Sequence, residues 1–151
     1  MRELWGTYLD KANVLIDFTA RVIRACHAAR VGWLVENPAS RRHGAAAWAA
    51  KADCVSLWDM PEMVAVCSDI ATAAATFPQC AYGSPFQKYT TLLGSRSTAR
   101  ALAACIGPPA CTCRTHAELA IGERAAASAA YPPRLCQAIV DVIEMTVHDA
   151  D

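Results

Sequence analysis

Side chains that commonly bind metal ions are concentrated in one short stretch of the chain. Four of them fall within twelve residues, spaced C-x5-C-x-C-x2-H: Cys105, Cys111, Cys113 and His116. Zinc prefers four sulfur and nitrogen ligands, so this run predicts a zinc site. The spacing is not that of the common C-x2-C pairs, and the alternative is a thiol-rich loop with a surface histidine.

A carboxylate and an amide follow a short apolar run earlier in the chain. Residues 31–35 read Val-Gly-Trp-Leu-Val, which predicts a buried strand with Glu36 and Asn37 at its C-terminal end. In open α/β sheets ligands bind at that end, so Glu36 is a candidate catalytic group. The alternative is that Glu36 faces water and that Asn37-Pro38 is a turn.

Hydrophobic periodicity predicts the elements that position these groups. Helices are expected over residues 8–29, 62–75, 97–104 and 133–147, and strands over 31–35, 77–82 and 89–93. The first helix carries one apolar stripe at the helical period: Leu15, Phe18, Val22 and Cys26. Because this helix runs almost directly into the first strand, we expect a single α/β domain over residues 1–151.

Composition limits the classes of function. Lys and Arg total 14 and Asp and Glu total 14, so no global basic field indicates a nucleic-acid partner. With 54% hydrophobic and 19% charged residues, the chain should pack rather than stay disordered. It has no apolar run long enough for a membrane span and no signal-peptide core at its N-terminus. We therefore expect an intracellular protein, cytoplasmic or nuclear, whose eight cysteines are thiols or metal ligands.

Three motifs follow one another about fifty residues apart. They are Glu-Asn-Pro at 36–38, Cys-Ala-Tyr-Gly-Ser-Pro-Phe-Gln-Lys-Tyr-Thr at 80–90, and Tyr-Pro-Pro-Arg-Leu-Cys at 131–136. Over about residues 5–145 this order resembles the C-terminal half of the catalytic domain of cytosine-5 DNA methyltransferases. It is most similar to the divergent methyltransferase-like modules of algal, protist and phage mobile elements, including transposons. Such modules also carry a Cys and a His that match Cys105 and His116.

The resemblance implies a fold and a set of roles. The fold would be a partial Rossmann-like methyltransferase sheet of three to four strands with helices on both faces. Glu36, with Asn37 beside it, would hydrogen-bond a flipped cytosine and activate its ring. Gln87 and Lys88 would contact DNA near a phosphate. Ala130 and Tyr131 would line the pocket for S-adenosylmethionine.

The chain departs from the family pattern at several positions. Pro38 stands where the classical enzymes commonly have Val, and Tyr89 and Thr91 stand where basic residues are usual. Ala129 replaces the Asn that would contact S-adenosylmethionine. The sequence contains no Pro-Cys dipeptide for a nucleophile and no Gly-rich cofactor loop before the first strand.

These departures lead to two expectations of different class. The first is a partial S-adenosylmethionine-dependent DNA (cytosine-5) methyltransferase-like domain, inactive alone, that needs a missing N-terminal half or another polypeptide. The second is a non-catalytic nucleic-acid or protein interaction module of a mobile element, stabilised by zinc.

Overall fold

The computed structural model describes residues 2–40, 56–107, 110–116 and 129–148. Within these ranges the chain forms two compact units. The first unit consists of Met1–Trp33 and Ser40–Ala71, and the second of Leu34–Ala39 and Thr72–Asp151. None of the helices in the described ranges is long and apolar enough to cross a membrane.

The first unit is built from two helices, α1 (Arg2–Ala28) and α2 (Pro61–Asp69). Pro61 opens α2, a position where its missing N–H leaves no intrahelical bond unmade. Met63 and Val66 of α2 are fully buried. The two helices pack against each other through such apolar positions, which supply the main stabilisation of a helix pair.

The buried face of α1 is not the apolar stripe that periodicity emphasises. Ala20 and Ile23 are buried, whereas Leu15, Phe18 and Val22 are 64%, 59% and 41% exposed. The helix itself is confirmed, and it begins earlier than residue 8. Its most apolar side in the sequence therefore lies in contact with water rather than with α2.

The second unit is built on a three-stranded sheet. Its strands are β1 (Leu34–Pro38), β2 (Thr72–Pro78) and β3 (Tyr89–Ser95), in the order β1-β3-β2. Both neighbouring pairs are antiparallel, with Glu36 of β1 opposite Leu92 of β3. The fold class α/β is confirmed, with three strands, but the Rossmann-like character is not.

Helical segments follow the sheet and cover its apolar face. A 3₁₀ turn (Arg96–Thr98), α3 (Ala99–Ala101) and a π-helical turn (Leu102–Ile106) come directly after β3, and α4 (Pro133–His148) comes later. They join the strands in one buried cluster: Phe77, Leu92, Ala101, Leu102, Ile106, Leu135, Ala138 and Val142. Removal of these side chains from water holds the helices to the sheet.

Three predicted elements are wrong in their limits, and the first is a strand. The strand predicted over 31–35 is shifted to Leu34–Pro38, because Arg30 adopts a left-handed φ of 58° and separates α1 from the strand. Pro38 does not stop the strand early, since β1 pairs with β3 alone among the described strands and a proline is tolerated at such an edge. Glu36 therefore lies within the strand rather than beyond its end.

The second wrong prediction concerns the alanine-rich run after α2. A helix is expected over 62–75, yet α2 ends at Asp69 and β2 begins at Thr72. Alanine favours a helix by itself, but seven residues of β2 pair with β3, and this tertiary pairing outweighs the local preference. The strand predicted over 77–82 is consequently displaced, and Gln79–Tyr82 forms a 3₁₀ turn.

Candidate functional site

Four potential metal ligands converge in the second unit. The Sγ atoms of three cysteines and a ring nitrogen of one histidine all lie within 4.8 Å of one another; these residues, the Cys80 cluster, are Cys80, Cys111, Cys113 and His116. Tetrahedral zinc with 2.3 Å bonds to sulfur places its ligand atoms about 3.7 Å apart, so a small contraction would complete the site. The Cys80 cluster could therefore hold a metal ion such as zinc.

Cys80 is fixed by the turn that follows β2. It is buried at 7% exposure within the 3₁₀ turn Gln79–Tyr82, and its carbonyl accepts a hydrogen bond from the Gly83 N–H. Gly83 has a φ of 95°, a conformation that glycine adopts without the strain a Cβ would cause. The turn therefore presents the Cys80 thiol from a rigid position at the end of the sheet.

The other three ligands lie on the segment 110–116, which has no helix or strand. Cys111 Sγ lies 3.1 Å from His116 Nε2, within hydrogen-bonding distance for sulfur. The ligand atoms of Cys113 and His116 also lie within 4.8 Å of the Cys111 Sγ. A metal ion would add bonds between this segment and the turn that carries Cys80.

The thiols of the cluster have opposite electrostatic surroundings. Burial raises the pKa of Cys80 to about 12, and the neighbouring Cys111 and Cys113 add to the rise. The Cys113 backbone N–H lowers the pKa of Cys111 to about 7 against the opposing effect of burial, with further lowering from Cys80 and His116. These surroundings favour the thiolate form at Cys111 more than at Cys80.

Cys105 does not join this group, although the sequence run includes it. It lies in the π-helical turn Leu102–Ile106 and is partly buried against the apolar cluster. Cys80 takes the place that the predicted ligand set gives to Cys105, while Cys111, Cys113 and His116 are brought together as predicted. The useful signal in the sequence is the helical Leu-Ala-Ala-Cys-Ile context of Cys105, which is typical of a core position.

Predicted residues also meet at a second place in this unit, the Glu36 corner, defined by Glu36, Lys88 and Tyr131. Leu34 and Glu36 share one face of β1, and Leu34 packs against the apolar cluster. Oε1 of Glu36 is buried and has no hydrogen-bond partner. Lys88 Nζ lies 5.9 Å from the centre of the Tyr131 ring, within the range of a cation–π contact.

The Tyr131 hydroxyl is coupled to the Glu36 carboxylate. Burial raises the pKa of Tyr131, and the hydrogen bond to Glu36 and its negative charge raise it further. The phenol therefore stays protonated and can donate to the carboxylate, leaving Oε1 as the acceptor without a partner. A buried carboxylate oxygen without a hydrogen-bond partner is suited to accept a hydrogen bond from an N–H group of a ligand.

The remaining predicted residues lie at the margins of the corner. Asn37 is half-buried in β1 opposite Thr91, and the alternative of an Asn37-Pro38 turn does not apply because both residues are in the strand. Gln87 is exposed in the loop before β3, and Ala130 is exposed in the turn before α4.

No protein-family model, curated protein or solved structure matches this chain. Function is therefore inferred from the Cys80 cluster and the Glu36 corner themselves.

The composition of the Cys80 cluster predicts which thiol controls metal binding. Cys80→Ser should weaken Zn²⁺ binding by at least about a hundredfold, because it removes a direct ligand. Cys105→Ser is the matched control and should leave affinity unchanged. Isothermal titration of chelator-treated protein, with circular dichroism to verify folding, measures both. The reverse result would restore Cys105 to the ligand set and remove Cys80.

The coupling of Tyr131 to Glu36 predicts a change in tyrosine ionisation. Glu36→Gln should lower the pKa of Tyr131 because a negative charge beside the phenol is lost, although burial still holds it above the ordinary value. Alkaline ultraviolet titration detects the phenolate, and Tyr131→Phe identifies its step. Glu62→Gln, on α2 in the other unit, is the control. An unchanged curve for Glu36→Gln would contradict the hydrogen bond.

Proposed function

We propose that the second unit is a zinc-stabilised, non-catalytic interaction module. The convergence of three Sγ atoms and one imidazole nitrogen within 4.8 Å is the observation that supports it. Cysteine and histidine together form one of the common ligand sets of structural zinc sites. Four protein ligands complete a tetrahedral shell, which leaves no open position for a substrate.

The proposed metal has a mechanical role in this unit. Cys80 belongs to the rigid turn after β2, whereas the other ligands belong to the segment 110–116. A metal ion bound to thiolates of both parts would act as a Lewis acid and link the Cys80 turn to segment 110–116. The chain's own residues then hold segment 110–116 against the sheet, which creates a fixed surface for a partner.

Removal of the metal provides the test of this function. Zn²⁺ at a thousandfold excess over its dissociation constant should stabilise the protein by about 4 kcal/mol, since it binds the folded state. Thermal unfolding with and without a chelator measures the change, and Cys105→Ser should respond like the unmodified chain. His116→Ala should lose the response. An unfolding temperature that is independent of Zn²⁺ would contradict the proposal.

The Glu36 corner favours a second candidate, recognition of a cytosine by a partial cytosine-5 methyltransferase-like domain. Its support is the buried Glu36 Oε1, which lacks a partner, beside the Tyr131 hydroxyl. Cytosine protonated at its ring nitrogen offers two N–H donors on one edge, and a carboxylate accepts both. Lys88, close to Tyr131, would supply the phosphate contact.

Methyl transfer by this candidate requires a cofactor and a nucleophile in addition to the Glu36 corner. S-adenosylmethionine, with Ala130 and Tyr131 at its pocket, and a Pro-Cys nucleophile would come with another segment or polypeptide. The three strands would then be part of a larger Rossmann-like sheet in which further strands pair with β1. On this candidate the chain by itself recognises the base and transfers no methyl group.

Oligonucleotide binding tests the second candidate. A single-stranded DNA containing one cytosine should bind more tightly than the same strand with thymine, and Glu36→Gln should remove this preference. A hydrogen bond to a charged group is worth about 1.5–3 kcal/mol, which predicts at least a tenfold loss. Fluorescence anisotropy measures binding. Equal affinity for the two strands would exclude base recognition and would leave the zinc module unaffected.

A further inference from the structure

A second apolar face of α1 remains in contact with water. Four large apolar side chains, the α1 stripe, are between 41% and 70% exposed: Val14, Leu15, Phe18 and Val22. At about 100° per residue they fall within one third of the helix circumference. A contiguous apolar patch of a few hundred Å² is the size of the largest patch on a typical monomer, and such patches are often functional.

The α1 stripe is separate from the surface that α1 uses inside its own unit. The buried residues Ala20 and Ile23 centre on the side of the helix about 160° from the centre of the α1 stripe. On the α2 side, Arg24 pairs with Asp69 at 2.7 Å. The buried face and the α1 stripe are thus two different apolar faces on one helix. The packing of α1 on α2 accounts for the first and leaves the second without a function.

We propose that the α1 stripe is a homodimer interface, in which α1 of one copy packs antiparallel on α1 of a second copy. The charges along its border are self-complementary in this orientation. Asp17 and Arg21 lie along one border, 3.8 Å apart, with exposures of 61% and 78%. Around a twofold axis near Phe18, Asp17 of each copy lies two residues, about 3 Å of helical rise, from the level of Arg21 of the other. The arginine side chain spans this offset, so the two ions exchange partners without loss of a pair.

The ends of the α1 stripe also fit an antiparallel partner. Lys11 lies in line with Phe18 toward the N-terminal end, and Ala25 lies in line with it toward the C-terminal end. An antiparallel copy places the long Lys11 side chain over the small Ala25. Its ammonium then reaches the last turn of the second helix, where the carbonyl ends carry partial negative charge.

The exposed area of the α1 stripe fits a small dimer interface. The four side chains expose roughly 400 Å² of apolar surface per copy, so two stripes bury about 800 Å², and the flanking residues must supply the rest of the roughly 1,200 Å² that marks the lower end for stable interfaces. Burial of Phe18 at the centre of the stripe supplies the largest share, as aromatic residues do at interfaces.

Sedimentation analysis of the full chain over a range of concentrations tests the dimer. The unmodified protein should show a monomer–dimer equilibrium, and Phe18→Glu should be monomeric. Ile143→Glu, a matched change at an exposed apolar position of α4, should leave the equilibrium unchanged. A monomer at every concentration, a dimer that resists Phe18→Glu, or a dimer lost through Ile143→Glu would each overturn the proposal.

Charge exchange distinguishes antiparallel pairing from other uses of the stripe. Asp17→Arg and Arg21→Asp each place like charges opposite one another across the interface and should weaken the dimer about tenfold. An equimolar mixture should recover association, because each variant now complements the other. An ion pair confined to one helix gives no recovery, and this result would overturn the antiparallel dimer. The mixing experiment also tests the dimer if the Phe18→Glu variant does not fold.

Discussion

The second unit depends on the central strand β3, which is hydrogen-bonded along both of its edges. Its buried residues include two threonines, and a buried hydroxyl is costly unless it has a partner. Thr90 accepts a hydrogen bond from the Gln79 Nε2 at 2.9 Å, and Thr91 bonds to the Thr76 hydroxyl at 2.8 Å. Each bond fixes β2 or its following turn against β3, so the polar groups specify the register that the apolar cluster alone would leave open.

That register decides which functional groups can meet. With Leu92 opposite Glu36, the carboxylate stands on the face of the sheet that also carries the apolar cluster. A shift by one residue would turn Glu36 to the other face and bring Asn37 toward Tyr131. The Gln79 side chain, which bonds to Thr90, belongs to the turn that presents Cys80. One central strand thus positions both the Glu36 corner and the Cys80 cluster.

Sequence patterns predict the elements whose local preference and tertiary environment agree. β3 and α4 are of this kind, since β-branched residues suit a central strand and Pro133 suits a first helical turn. β2 could not be predicted, because its alanines favour a helix until β3 is present to pair with them. Cys80 could not be assigned for a similar reason: it is 31 residues before Cys111, and only the folded turn brings the two thiols together. Proximity in sequence favoured Cys105, whose apolar helical surroundings hold it in the core instead.

The loop between Cys80 and Lys88 links the two sites physically. The Gln79 N–H donates to the Lys88 carbonyl at 2.8 Å, and the Ser84 N–H donates to the Gln79 carbonyl at 3.2 Å. The loop is therefore closed at its base, with Cys80 at one end and Lys88 at the other. In the proposed zinc module, a metal ion that anchors Cys80 restrains the same closed loop that holds Lys88 beside Tyr131. Loss of the metal would free the Cys80 end of this loop, while the hydrogen bonds at the base of the loop would remain. At the Glu36 corner, Lys88 would therefore be held less firmly, and β1 would stay in place.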